Sequence, residues 1–344
     1  MLSIAKTQPG PNGLAVRQVA EPVAGAGEIL LRVQAAGICG TDMHIYHDHG
    51  PFAARMALPR ILGHEVCGIV EALGPAVSGI EPGDLVTLES HIPCWRCMAC
   101  RTGRAHVCAH TRHPGIDLDG AFAEYMVAPA AIAWVNPAGV PVDEAALLEP
   151  LGIAVHATLE GSAVAGQSVV VNGCGPIGLM NIAVARHFGA RMVIGVDPNP
   201  LRRTLALQMG ADAAIDPRTG DLPRQVRDMV GPDGADVVVE YSATADGAHN
   251  TFAMLAPLGQ VRWVGTPSQP VSFDFGLWRK ARPTIFNISG RRIWQTWEKA
   301  APLVYERRID LRPLISHVLP LAEGIRGFEL IHQGQANKIL MRTH

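Results

Sequence analysis

Short aliphatic and β-branched runs, Ile29–Val33 and Val66–Val70 among them, are broken by Gly and Pro every few residues from Met1 to about Glu149. That rhythm predicts a loop-rich β unit. After Pro150 the pattern lengthens. Apolar strand candidates at Ser168–Val171, Met192–Val196, Asp236–Glu240 and Gln260–Val264 frame stretches with helical spacing between the earlier ones. Strand and helix in alternation predict a parallel, doubly wound α/β sheet. From about Gly290, Trp294, Trp297, Leu303 and Val304 recur at helix-like intervals and Ile339–Met341 forms a final apolar run. The expected organisation is therefore residues 1–149 with 290–344 as one unit, and residues 150–289 as the other.

The chain has 344 residues, enough for about two domains, and 48% of them are apolar. Charged residues are only 17%, below the roughly 25% usual for soluble domains, which favours an oligomer. The net charge is −2 and no Lys/Arg block is present, so nucleic acid has no electrostatic footprint here. The uncharged run Gly161–Ala185 is longer than the about 20 residues of a membrane helix, but five glycines and Pro176 interrupt it, which predicts strand, turn and helix instead. Lys6 and Pro9 fall where an export signal needs an apolar core. A cytoplasmic protein with no membrane partner is the expectation.

Val169–Val171 leads into Gly173-Cys174-Gly175-Pro176-Ile177-Gly178, and helical spacing follows. In such a strand-to-helix turn Gly173 permits the tight bend, Gly175 lets backbone approach a pyrophosphate, and Gly178 lets helix and strand pack closely. The free N–H groups of the helix start then face the phosphates. Asp197, nineteen residues on, can accept hydrogen bonds from a ribose diol and repels a 2′-phosphate, so NAD is expected over NADP. Arg202 and Arg203 follow it and leave the phosphorylated cofactor as the alternative.

Of seven cysteines, Cys94, Cys97, Cys100 and Cys108 fall as C-x2-C-x2-C-x7-C. Four such thiolates can enclose one tetrahedral zinc with no open position, a structural role; two disulfides or free thiols are the alternatives. Cys39 in Gly-Ile-Cys-Gly-Thr-Asp, His64 with Glu65 in Gly-His-Glu, and Glu149 before Pro150 form a more dispersed set. One thiolate, one imidazole and a carboxylate make a zinc site with a position left for an alcohol. Singly, each has an ordinary reading as a small buried residue, a core histidine or a helix cap. Thr41 could carry the alcohol proton onward, with His44 the next acceptor.

Assembled in this order, the motifs resemble those of zinc-dependent medium-chain alcohol dehydrogenases over essentially the whole chain. The runs CGTDMHIY, GHEVCGIV, the four-cysteine loop after Glu89-Ser90-His91-Ile92, GPIGLM, ISGRR and HQGQANKILM are most similar to the bacterial threonine 3-dehydrogenases of that family. The resemblance implies a chaperonin-10-like (GroES-like) β domain formed by both chain ends, a Rossmann domain between them, and a homotetramer, with a dimer as the alternative. It implies two zinc ions per chain and NAD-dependent oxidation of a secondary alcohol. Cys39, His64 and Glu65 would be the catalytic zinc ligands, Thr41 and His44 the relay, and Glu149 a zinc-proximal carboxylate. Cys94, Cys97, Cys100 and Cys108 would hold the structural zinc. On the cofactor side Ile177, Asp197, Arg202, Val264-Gly265-Thr266 and Ile288-Ser289 match nucleotide-contacting positions. His91 and Arg291 are the substrate candidates. Position 149 lies in a Leu-Glu-Pro-Leu run that polyol dehydrogenases share, and the segment from His47 to Pro59 departs from the threonine enzymes. L-Threonine is thus the first substrate expected and a polyol or diol the second; a nucleotide-binding protein without catalysis is the distant alternative.

Overall fold

A computed structural model describes residues 1–10, 13–267 and 269–343. The chain divides into two compact units, Met1–Glu149 with Ile315–His344, and Pro150–Leu314.

In the first unit the long strand Glu28–Gly37 is the hub. It pairs antiparallel with Glu65–Leu73 along its length, with Tyr125–Pro129 at its start and with Lys338–Arg342 at its end. Strand Ile315–Pro320 lies parallel to the last of these. A smaller sheet joins Leu2–Lys6 to Leu14–Gln18 and to Arg60–Ile61. Alternate residues of the hub, Ile29, Leu31 and Val33, point into a core shared with Val66, Val70, Phe122, Phe328 and Ile339. Fully burying each such side chain is worth about 1.5–3 kcal/mol, so both chain ends are held in one core.

The second unit is a six-stranded all-parallel sheet. Its order is Ala213–Ile215, Met192–Val196, Ser168–Asn172, Ala235–Glu240, Leu255–Trp263 and Thr284–Asn287. The strand Ser168–Asn172 is buried throughout, which is why its sequence reads as an unbroken apolar run. Strand order reverses beside it, and the carboxyl ends of strands at such a switch point form a ligand crevice.

One boundary differs from the expectation. The tail rejoins the first unit at Ile315, not at Gly290. The helix Trp297–Tyr305 buries Trp297, Ala300, Ala301, Leu303 and Val304. A bond between His156 Nδ1 and the Gly290 carbonyl (2.8 Å) and one from Arg292 to Glu160 (2.5 Å) tie this stretch to the helix Leu148–Leu159. Trp294, expected on the helix, precedes it in a left-handed conformation.

Candidate metal and cofactor sites

The four cysteines converge as their spacing predicts. The sulfurs of Cys94, Cys97, Cys100 and Cys108 all lie within 4.8 Å of one another, the one such ligand group among the described residues. Cys97 Sγ is 3.5 Å from Cys100 Sγ and 3.7 Å from Cys108 Sγ. A disulfide needs about 2.05 Å. Four sulfurs at about 2.3 Å around a tetrahedral zinc stand about 3.8 Å apart, so the cage fits that ion. Backbone N–H groups of Cys94 and His110 donate to Cys108 Sγ (3.4 and 3.3 Å). Burial raises the Cys108 thiol, but these donors prevail and bring it down to about 6.

Cys39 and His64 of the dispersed set also come together within the first unit, with Asp42 beside them. Cys39 precedes the short helix Gly40–Tyr46, where its N–H donates to Asp42 Oδ2 (2.9 Å). His64 enters from the turn before strand Glu65–Leu73. That turn requires Gly63, which has φ +92° and whose missing Cβ would stand 2.3 Å from the Phe122 ring. Thr41 and His44, both on the short helix, are one turn apart and therefore neighbours on its surface.

The electrostatics of this set favour a cation. Burial opposes charge on His64, yet the Cys39 thiol hydrogen-bonded to it, Asp42 and Glu149 outweigh burial and hold the imidazole up at about 10. Asp42 is itself pushed up by burial. Asp42 Oδ1 and His64 Nδ1 are 3.9 Å apart, and both are buried without a hydrogen-bond partner. A thiol, an imidazole and carboxylates that together prefer a positive charge are a donor set suited to zinc.

Glu65, expected among the ligands, is paired with the far end of the chain. Both of its oxygens accept from Lys338 Nζ (2.9 and 2.6 Å), and the same ammonium donates to the Ile38 carbonyl (3.0 Å). Two buried opposite charges bind each other in preference to remaining open, because neither can be left unpaired at low cost. Sequence reasoning did not single out Lys338, the partner of Glu65 from 273 positions away.

Nearby, His91 Nδ1 donates to the buried Glu89 carboxylate (2.7 Å) and the ring stacks edge-on against His113 (5.0 Å). Arg55 Nη2 reaches Asp117 (2.8 Å) and His113 Nδ1 (3.1 Å), and its guanidinium covers Phe52. Burial pushes His113 down to about 3, helped by charge on His91 and His64. Arg55 belongs to the segment from His47 to Pro59 that stands out in the sequence, whereas His113 and Asp117 were not foreseen; their alignment depends on a fold contact between residues 55 and 117 that no local pattern signals.

In the second unit the glycine turn matches its prediction closely. Gly173 has φ +103°, and a Cβ there would stand 2.7 Å from Ser242 N. A Cβ on Gly178 would lie 2.1 Å from the Gly173 carbonyl, whereas one on Gly175 meets nothing within 4 Å. Two glycines thus close the turn and the third leaves open space before the helix Pro176–His187, with Ile177 in its first turn. A cavity of about 640 Å³ opens there, bordered by Gly173, Gly175, Asp197, Arg202, Arg218 and Ser242.

Asp197 is buried and already accepts from Cys174 N (2.9 Å) and Asn199 N (2.8 Å), with Arg202 at 3.7 Å. Val264 N and Gly265 N donate to the Glu240 carbonyl (3.0 and 2.8 Å), which turns the chain toward Thr266. Ile288 is buried, its N–H bonded to the Trp263 carbonyl (2.8 Å), while Ser289 is exposed. Arg291 is buried, its side chain lying where a Cβ on Gly152 would be (2.5 Å to Cδ).

The chain is similar to known proteins. The alcohol dehydrogenase GroES-like domain family matches residues 25–138 and the zinc-binding dehydrogenase family matches residues 176–306. An L-threonine 3-dehydrogenase of Pyrococcus horikoshii is 41% identical over 343 residues, covering 99% of this chain and 98% of that protein. Two solved structures share the fold. An alcohol dehydrogenase of Escherichia coli complexed with NADH is 27% identical, with a TM-score of 0.90 and 99% of both chains covered. Galactitol-1-phosphate dehydrogenase of Escherichia coli is 25% identical, with a TM-score of 0.91, 99% of this chain and 100% of that one. The expected fold class, a GroES-like domain with a Rossmann sheet, is thereby borne out, and the chain belongs to the zinc-binding medium-chain alcohol dehydrogenases, a family of oxidoreductases.

Proposed function

We propose that the protein oxidises L-threonine at its secondary hydroxyl and transfers the hydride to NAD, giving 2-amino-3-oxobutanoate. The observation that carries this reading is the set of donors around His64, together with full-length similarity to threonine 3-dehydrogenases. Cys39, His64 and Glu65 would hold the catalytic zinc, with Glu149 a zinc-proximal carboxylate and Lys338 restraining Glu65. A zinc ion bound there lowers the pKa of a coordinated alcohol, and NAD supplies the hydride acceptor. The chain's own part is to move the proton and hold the substrate. The Thr41 hydroxyl takes the alcohol proton and passes it to His44, which is exposed and can release it to water. His91, fixed by Glu89, orients the substrate, and Arg291 serves an anionic group of substrate or cofactor. Asp197 accepts from the adenosine ribose, Gly175 admits the pyrophosphate, and Ile177, Arg202, Val264, Gly265, Thr266, Ile288 and Ser289 line the cofactor's path.

A second reading, oxidation of a polyol or diol, is supported by the His91–His113 ring contact with Glu89 and Asp117 beside it, groups that suit hydroxyl partners. NADH formation at 340 nm from zinc-loaded protein, NAD and a panel of L-threonine, D-sorbitol, galactitol and 2,3-butanediol separates the two. Preference for L-threonine upholds the first; preference for a polyol overturns it. Cys39→Ser should abolish turnover and retain NADH binding, and an active variant would sink the ligand assignment. We also infer a cytoplasmic homotetramer, supported by the sparse charge and by exposed Phe273, Phe275, Trp278 and Ile285; light scattering measures the subunit number.

A further inference from the structure

Three histidines outside the sites described above gather at one place in the first unit. His47 ends the helix Gly40–Tyr46, His49 follows on the next turn, and His332 ends the helix Gly324–His332. The ring centroids of His47 and His332 are 4.8 Å apart, and those of His47 and His49 are 6.1 Å apart. A metal about 2.05 Å from a ring nitrogen is about 3.2 Å from the ring centroid, so two imidazoles on one tetrahedral ion have centroids about 5.2 Å apart. The His47–His332 pair already meets that spacing. His49, exposed on its loop, would be the third ligand and would have to turn its ring toward the other two to reach the ion.

One feature of the surroundings favours a cation, and another keeps the imidazole in its ligating form. Two helices terminate here, and the partial negative charge of helix C-termini favours positive charge. Burial, the neighbouring His332, His49 and His44 and the Lys6 ammonium hold His47 below its ordinary value, so at neutral pH it is the unprotonated form that ligates metal. The Lys6 ammonium caps the first of these helix ends, donating to the carbonyls of Ile45 (3.0 Å) and Tyr46 (3.4 Å) as well as Gly10 (2.5 Å), and lies 4.0 Å from Asp48, so it is the end of the helix Gly324–His332 that offers its dipole to the ion. The frame beneath is firm, because Tyr46 stacks on Phe328 of the second helix (5.5 Å) and the His49 N–H is bonded to the His44 carbonyl (2.8 Å).

We propose that His47, His49 and His332 form a third metal site, separate from both zinc centres, that takes a divalent transition cation of the Zn²⁺ or Ni²⁺ type. All three ligands are neutral nitrogens, which suit those ions and not Mg²⁺ or Ca²⁺. An ion there joins the loop at residues 47–49 to the end of the helix Gly324–His332.

The test is calorimetric titration of ZnCl₂ into the full-length protein already carrying its tightly held zinc, with metal counted by mass spectrometry before and after. The expected result at pH 7.5 is one additional zinc per chain at micromolar affinity, weakened at least tenfold by His332→Gln and by His47→Gln. His187→Gln, on an exposed helix end of the other unit, should leave the titration unchanged. His332 is exposed, so its variant keeps the fold, and a melting curve without added metal checks this. Absence of the additional zinc, or equal affinity in His332→Gln and the parent, overturns the proposal. Neither readout depends on which alcohol is oxidised.

Discussion

Replacing Lys338 by Met tests the electrostatic reading of the first unit. Lys338 and Glu65 side chains are 2% and 1% exposed, and the ammonium also satisfies the Ile38 carbonyl. The substitution keeps much of the side-chain volume and removes the charge, leaving the Glu65 carboxylate buried and unpaired. Breaking such a pair by deleting one partner costs about 3–5 kcal/mol, a large part of the 5–15 kcal/mol that typically holds a domain. For a unit of this size each kcal/mol corresponds to about 2–4 °C in Tm, so the expected fall is roughly 6–20 °C. Differential scanning calorimetry of K338M, E65Q and the double variant, all at one zinc loading, measures it. In the double variant the unpaired carboxylate is gone, so its loss should be smaller than the sum of the single losses by at least about 1 kcal/mol, beyond the error of additivity. A K338M protein melting within 1 °C of the parent, or strict additivity, would refute the idea that the two charges are mutually dependent.

The glycine turn separates fold from binding: Gly178→Ala sets a Cβ 2.1 Å from the Gly173 carbonyl and should lower the melting temperature of the second unit. Gly175→Ala meets no atom and should melt normally while weakening NADH binding at least tenfold by fluorescence titration; equal binding would remove the pyrophosphate from that place. Cys97→Ser should release one zinc per chain, counted by mass spectrometry, and lower the melting temperature before it changes chemistry. An unchanged melting curve would argue against a structural metal. His113 is held at about 3 when folded, below its ordinary 6.5, so between those values the unfolded chain binds more protons and stability falls as pH falls. The slope is at most about 1.4 kcal/mol per pH unit from this residue. His113→Asn should flatten the dependence between pH 6.5 and 4, measured by urea denaturation, and an identical slope would count against the assignment.

What the sequence disclosed follows the range over which each feature is determined. The cysteine cage spans fifteen residues and the glycine turn six, and in both the spacing alone sets the geometry, because the chain between the functional atoms is too short to arrange otherwise. Gly175 shows how far this goes: its open space at the helix start could be expected from neighbours two and three positions away. The boundary near Gly290 was missed for the opposite reason. Trp297, Leu303 and Val304 announce a helix with an apolar face, but periodicity does not say which core receives that face; the Arg292–Glu160 and His156–Gly290 bonds decide it. Glu65 lies between these cases. Its place beside His64 is local and legible, yet its chemistry is set by Lys338, which strand pairing delivers: Gly37 faces both Glu65 and Leu340 across the hub strand, two positions from Lys338. A Gly-His-Glu motif therefore offers the carboxylate as a ligand, and only the closing of the β unit by the far end of the chain supplies the cation that holds it. The same closure brings His332 to His47, so the distant C-terminal segment governs the electrostatics of both.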